Sequence, residues 1–251
     1  MNLNNRVYYF GGESQALDFA RRELAMHGLT VADAPSEAVT HLVLGVPCRM
    51  QSKELEALLR KLPKDVPVLG GFLDREELKD HPCVDLLKDE GYLAHNAAIT
   101  AHCALRVLLE KLPVTLEHCP VLILGWGRIG KCLAQILKAL GAEVIVAARR
   151  EEHRAILRAL GYEAEPLPLP QYILPRFRAV FNTVPTPVLS GDALANCRPG
   201  CVKIELASSP GMEGDDIVDA RGLPGRLAPE SSGKLIARTI LRLCARREAI
   251  K

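Results

Sequence analysis

Apolar residues along this chain fall into two alternating patterns, short unbroken runs and longer stretches in which they recur every three or four positions. "RVYYFGG" reads as a strand ending in a glycine turn. "SQALDFARRELAMHG" reads as a helix with Leu17, Ala20 and Leu24 on one face and Gly28 just past its end. The unit recurs with "HLVLGVP" as strand, "SKELEALLRKL" as helix and "VPVLGG" as strand, so residues 1–94 are expected to form a small parallel α/β domain. From about His95 the pattern changes: "NAAITAHCALRVLLEKL" keeps helical spacing without a breaker and predicts a linker helix, with His95 and Asn96 before it as cap. A second series then runs through "VLILG", "EVIVAA", "RAVFNTV" and "CVKIELA" as strands, and closes with the long helix "PESSGKLIARTILRLCARRE". The expected fold class is α/β, two Rossmann-like domains with parallel sheets joined by a long linker helix and completed by a C-terminal helix. No solenoid-type repeat or low-complexity tract interrupts it.

Composition narrows the class. At 251 residues and 48% hydrophobic, the chain can bury a sizeable core. "MNLNNRVYYFGGESQ" lacks the basic start and apolar run of an export signal, and no segment approaches the roughly 18 unbroken apolar residues of a membrane helix, so a cytoplasmic protein without membrane contact is expected. The eight cysteines are scattered from Cys48 to Cys244 and read as reduced. Cys197 and Cys201 in "CRPGC" have no second Cys or His pair at zinc-ligand spacing, so no metal is expected and two thiols beside a turn explain them. Up to Ala94 there are 11 Lys and Arg against 15 Asp and Glu, and beyond it 21 against 15. The second half is the basic one, without the dense Lys/Arg blocks and interleaved aromatics of a nucleic-acid binder, which points to a smaller anionic ligand.

The stretch "PVLILGWGRIGKCLAQILKALGAEVIVAARREE" gives that ligand a site. Gly125, Gly127 and Gly130 follow an apolar strand and open a helix with Leu133, Ile136, Leu137 and Leu140 at the right period, and a second strand follows. The spacing suits a pyrophosphate: one glycine turns the chain, one admits the phosphates, and one lets helix pack on strand, while helix amides attract the anion. Trp126, Arg128 and Ile129 complete the cofactor loop. Where an NAD site commonly places Asp or Glu, the second strand ends in Ala148, Arg149 and Arg150. Arginine there can clamp a 2′-phosphate that a carboxylate would repel, which favours NADP, with NAD possible. Residues 95–228 are thus expected to be the NAD(P)-binding domain with its linker helix, 1–94 a substrate or partner domain, and 229–251 a helix packing back across the domain junction. Two later turns, Thr183, Val184 and Pro185 after Asn182, and Ala207 and Ser208, end strands where an open parallel sheet has its crevice, and are expected to face the cofactor.

The succession "GWGRIGK", "AARR", "NTVP", "LASSPG" and "GLPGRLAPESSGKLIA" resembles the family of the oxidoreductase A subunit of dipicolinate synthase over essentially everything from Asn96 onward. "YYFGGES" is similar to that family's opening Gly-Gly-acid turn, with Gln15 in place of a basic residue. The resemblance implies a sporulation enzyme that oxidises a dihydro- or hydroxytetrahydro-dipicolinate, a small cyclic dicarboxylate, with NADP. It also implies a flavoprotein-like second subunit, and we expect a homo-oligomer. By position it assigns substrate contacts to Asn96, Thr100, Ser209, Pro210, Gly211, Ser231 and Ser232. Glu230 stands where the family has a lysine and His102 where it has an acid, and the two are candidates for an acid–base pair. The NAD(P)-dependent 2-hydroxyacid dehydrogenases share "G.GRIG" and the linker "NA..TA", but carry a catalytic His and an Arg where this chain has Glu230 and Ser208. A cofactor-binding protein without turnover is the third reading.

Overall fold

Residues 6–249 are described by the computed structural model, with side chains through residue 245. The chain divides into two units, Met1–Asn96 with Pro224–Lys251, and Ala97–Leu223. Each is a parallel sheet with helices, as the alternating pattern predicts.

The first unit holds β1 (Val7–Phe10), β2 (Thr30–Val31), β3 (His41–Val43), β4 (Val68–Gly70) and β5 (Cys83–Asp85), all parallel, in the order β2-β1-β3-β4-β5. Helix α1 (Gln15–Met26) begins at Ser14, whose hydroxyl accepts from the Leu17 amide at 3.1 Å. Helix α2 (Ser52–Leu59) buries Leu55 in a core with Leu42, Leu44 and Val68. The last helix of the chain returns to this unit and lies along α1. On it, Ile236, Ala237 and Ile240 share one core with Leu17, Ala20 and Leu24. Contact is close enough that a Cβ on Gly233 would sit 2.4 Å from the Ala16 carbonyl oxygen. Each fully buried Leu or Ile there contributes about 1.5–3 kcal/mol.

At the carboxyl ends of β3 and β4 two loops are tied together. The Gly71 amide donates to the Gly45 carbonyl at 3.1 Å, the Cys48 amide to the Gly71 carbonyl at 2.8 Å, and Arg75 to the Met50 carbonyl at 2.8 Å. Arg75 is also paired with Glu77 at 2.7 Å, both side chains being largely buried. Between these ties Phe72 has φ 57° and is 64% exposed. A left-handed backbone at a bulky residue costs about 1–2 kcal/mol.

The second unit holds β6 (Pro120–Leu124), β7 (Glu143–Ala148), β8 (Glu163–Pro166), β9 (Ala179–Asn182), β10 (Val202–Glu205) and β11 (Ile217–Asp219). They are parallel, in the order β11-β10-β9-β6-β7-β8. The order reverses direction between β6 and β9, which in such sheets is where a ligand crevice forms at the strand ends. The linker helix, α3 (Glu90–Lys111), starts earlier than its apolar pattern predicts, because Asp89 accepts from the Tyr92 amide at 2.7 Å. His95 and Asn96 therefore lie inside the helix and do not cap it. Helix α4 (Arg128–Ala139) follows β6, α5 (Glu151–Ala159) follows β7, and a single turn, α6 (Gly191–Leu194), follows β9. A short α7 (Leu223–Leu227) leads into the last helix, α8 (Pro229–Ala249). The eight cysteines are free thiols; the hydrogen bond with Cys197, together with burial, pushes the Cys201 thiol up. Among the described residues no helix is long and apolar enough to cross a membrane, and no group of three His, Cys, Asp or Glu could hold a metal ion.

Candidate functional site

Strand β6, buried from Val121 to Leu124, delivers the chain to Gly125, where φ is +103°. A side chain there would be strained by the backbone and would also strike the Thr183 hydroxyl, at 2.5 Å from the added Cβ. Helix α4 comes next, its apolar face buried through Leu133, Ala134 and Leu137. Gly130, in its first turn, faces the loop so closely that a Cβ would lie 2.3 Å from the Gly125 carbonyl oxygen. Gly127 is the opposite case, since a Cβ there would meet nothing within 4 Å. Gly127 is also the cap residue of α4, no side chain caps that helix, and no acidic residue stands in its first turn. The amides of residues 127–130 precede the first helical hydrogen bond, from Lys131 to Gly127, so donors and open space coincide. A glycine needed for no protein contact, under an uncapped helix start, fits a pyrophosphate resting on the backbone. Arg128 is exposed, Ile129 half-buried, and Trp126 packs against Tyr162 with ring centroids 5.9 Å apart.

The strand end after β9 borders this loop, and the one after β10 borders that in turn. Thr183 donates its hydroxyl hydrogen bond to the Leu124 carbonyl at 2.8 Å, which joins the turn after β9 to the end of β6. Val184 is half-buried and Pro185 exposed. After β10, Ala207 is buried, Ser208, Ser209 and Pro210 are exposed, and Gly211 is buried.

Both turns are held by a residue outside the set expected from the sequence. Glu205, 3% exposed, accepts from the Ala207 amide at 2.9 Å, the Gly211 amide at 2.9 Å and the Met212 amide at 3.2 Å. Its two oxygens also take the Asn182 side-chain amide at 2.8 and 3.0 Å. Asn182, fully buried, in turn accepts from the Val184 amide at 2.9 Å and donates to the Val184 carbonyl at 3.0 Å. A carboxylate surrounded by donors is a strong clamp. Its signal in the sequence is an acid within the otherwise apolar "IELA".

At the end of β7 the two arginines are exposed, and Arg149 makes no side-chain hydrogen bond or ion pair among the described residues. Arg150 reaches Glu152 at 3.3 Å, an exposed pair worth little. Beneath them Arg154 donates to the carbonyls of Ala148 and Arg149 at 2.7 and 2.8 Å and fixes the turn. Glu151, the nearest acid, is engaged by Arg158 at 3.0 Å and by Arg154, and these bonds hold its carboxyl below the ordinary range.

The remaining expected residues lie on the two long helices. Asn96 and Thr100 are in α3, half-buried and buried, and both are hydrogen-bonded or otherwise engaged. His102 is exposed on the same helix. Helix α8 carries Glu230 and Ser231 exposed and Ser232 buried. Glu230 is joined to Lys234 at 2.5 Å, which holds its carboxyl below the ordinary range, the reverse of what a proton-donating acid needs at neutral pH.

A parallel sheet in this order, with a glycine loop at its switch point and clamped turns beside it, defines the nicotinamide-dinucleotide-binding domain of a dehydrogenase. Residues 93–220, just over half of the chain, match the family described as D-isomer specific 2-hydroxyacid dehydrogenase, NAD binding domain, and the chain belongs to that family. It is similar to the A subunit of dipicolinate synthase from Bacillus subtilis (strain 168), with 27% identity over 174 residues, 66% of this chain and 59% of that protein. Its fold is similar to the crystal structure of the A subunit of dipicolinate synthase from Bacillus halodurans, at TM-score 0.79 and 21% identity over 96% of this chain and 98% of that one. It is also similar to D-lactate dehydrogenase from Escherichia coli, at TM-score 0.61 and 12% identity over 97% of each.

Proposed function

We propose that the protein is an NADP-dependent oxidoreductase acting on a cyclic dicarboxylate of the dihydro- or hydroxytetrahydro-dipicolinate kind. The observation that carries the cofactor choice is the end of β7. Arg149 is exposed there without a described ion-pair partner, and the nearest acid, Glu151, is already engaged by Arg154 and Arg158. A 2′-phosphate adds charge-assisted contacts at this position, while a bare ribose finds no carboxylate to bond. When bound, NADP supplies the hydride acceptor. The chain's own groups seat its pyrophosphate on the amides of residues 127–130 and border its ring with the turns at Thr183–Pro185 and Ala207–Ser208. Substrate contacts fall to Asn96, Thr100, Ser209, Pro210, Gly211, Ser231 and Ser232. An oxidation requires a base that starts unprotonated; Lys234 keeps Glu230 in that form, and His102 is the second candidate. The similarity to the dipicolinate synthase protein supports the substrate class and a partner in the form of a second subunit.

Trp126, the only tryptophan, lies inside the cofactor loop and reports its occupancy. Titration with NADPH should quench its emission saturably and NADH more weakly. Arg149→Ala should weaken NADPH about tenfold or more, the value of a lost charged hydrogen bond, and leave NADH unchanged. Equal affinity for both cofactors in the wild type would overturn the NADP assignment. A second reading, a 2-hydroxyacid dehydrogenase, is favoured by the family match over residues 93–220. NADPH-dependent reduction of 2-oxo acids, without NADP reduction by dihydrodipicolinate, would replace the first reading with it. NADPH binding with no turnover on either class would favour a sensor or partner subunit.

A further inference from the structure

We propose that Phe72 and Arg49, on the two tied loops at the carboxyl edge of the first unit's sheet, form the surface that recognises the ring and a carboxylate of the substrate. The inference rests on the substrate class proposed above and adds the residues that read it.

Phe72 combines two properties that folding alone does not favour. Its backbone is left-handed, φ 57°, at a residue with a bulky side chain, and its ring is 64% exposed. Glycine would relieve the backbone, and the chain already has glycine at the two preceding positions, 70 and 71. Burial does not account for the phenyl group either, since most of it faces water. A strained, exposed aromatic at a strand end is accounted for by a flat ligand against its face, where stacking repays what the fold does not.

Arg49 supplies the charge. It is exposed and has no ion-pair or hydrogen-bond partner among the described residues. The neighbouring cation, Arg75, is neutralised by Glu77 at 2.7 Å and occupied by the Met50 carbonyl at 2.8 Å. The bonds from Cys48 to Gly71 at 2.8 Å, Gly71 to Gly45 at 3.1 Å and Arg75 to Met50 hold the loop of Arg49 against the loop of Phe72. The ties bring together the loops that carry a planar apolar side chain and a guanidinium, a pairing that would select a ring bearing a carboxylate over an open-chain acid.

Calorimetric titration of the NADP-saturated protein with pyridine-2,6-dicarboxylate, and with open-chain glutarate as control, tests this. Arg49→Ala should weaken the pyridine dicarboxylate at least tenfold without changing the melting temperature. Phe72→Gly should weaken it to a similar degree while raising the melting temperature by a few degrees, an opposition that a purely structural residue would not produce. Phe72→Tyr, which keeps the ring, should retain the affinity. Unchanged binding in both Arg49→Ala and Phe72→Gly would overturn the proposal and leave the substrate class standing. A wild type that binds NADPH but no ring dicarboxylate would overturn the proposal together with the substrate class, and the Trp126 titration would still stand for the cofactor.

Discussion

Replacing Glu205 by glutamine changes one atom and should weaken the whole cofactor-binding unit. The carboxylate accepts from three backbone amides and the Asn182 side chain, all within 3.2 Å and away from solvent. The least harmful orientation of the new amide turns its nitrogen toward the Ala207 side, where donor would then face donor. One buried unsatisfied amide costs about 1–3 kcal/mol. The bonds to Gly211, Met212 and Asn182 lose their charge assistance, roughly halving each, for about 2 kcal/mol more. A neutral amide is cheaper to bury than an ion, which returns part of this. A net loss of about 2–4 kcal/mol is expected, or about 5–15 °C in melting temperature for a protein of this size. Urea unfolding followed at Trp126 reports the unit directly, since both residues lie in Ala97–Leu223. The same fluorescence then gives NADPH affinity, expected to fall as the turns at Val184 and Gly211 loosen. Glu213→Gln, an exposed neighbour, is the control and should stay within about 0.5 kcal/mol. A Glu205→Gln protein as stable as the control, with unchanged NADPH saturation, would refute the clamp.

Three further outcomes follow from the geometry. Gly127→Ala should melt like the wild type yet lose NADPH quenching, because the added methyl meets no protein atom and would occupy the proposed phosphate seat; retained quenching would place the pyrophosphate elsewhere. Gly130→Ala should lose both stability and binding, its Cβ being 2.3 Å from a carbonyl oxygen, and a normal melting curve would contradict the close packing of loop and helix. The hydrogen bond from Arg75, with a second from Ser52, pushes the Glu77 carboxyl down to about 2 from 4.5. A folded value below the unfolded one means stabilisation that is complete above about pH 4.5 and disappears as pH falls toward 2. The wild type should therefore lose melting temperature more steeply than Glu77→Gln across that window, and parallel profiles would remove the pair from the acid response.

Much of the fold was legible because burial on both faces makes parallel strands nearly continuous apolar runs, as in β6 and β7. The edges were not. β8 reads "EAEP" and β2 and β11 span two and three residues, so their place in a sheet comes from backbone pairing with a neighbour rather than from any pattern of their own. The start of α3 was hidden because Asp89 sets it, and the first helical turns there lack the apolar period that marks the rest. In the site, the glycine loop was readable from its spacing: Gly125 answers a left-handed backbone, Gly130 a close approach to the Gly125 carbonyl, and Gly127 no demand of the protein itself. The turns after β9 and β10 were recognised as places, but not the means of holding them, because Glu205 and Asn182 act across 23 positions of sequence. Phe72 left no trace in the residue pattern, since its distinction is a backbone angle.

Helix α8 gives the first unit an unusual order of assembly. On a ribosome, residues 97–223 emerge as a continuous stretch holding everything their sheet requires, and can fold as soon as they clear the exit tunnel. The first-made unit cannot finish at that point, because Ile236, Ala237 and Ile240, which share its core with α1, are joined only after the whole of 97–223. Until then the core around Leu17, Ala20 and Leu24 lacks the part that Ile236, Ala237 and Ile240 supply. The first unit is thus completed only after residues 97–223 have been made, so the two units are finished in the reverse of the order in which they are begun.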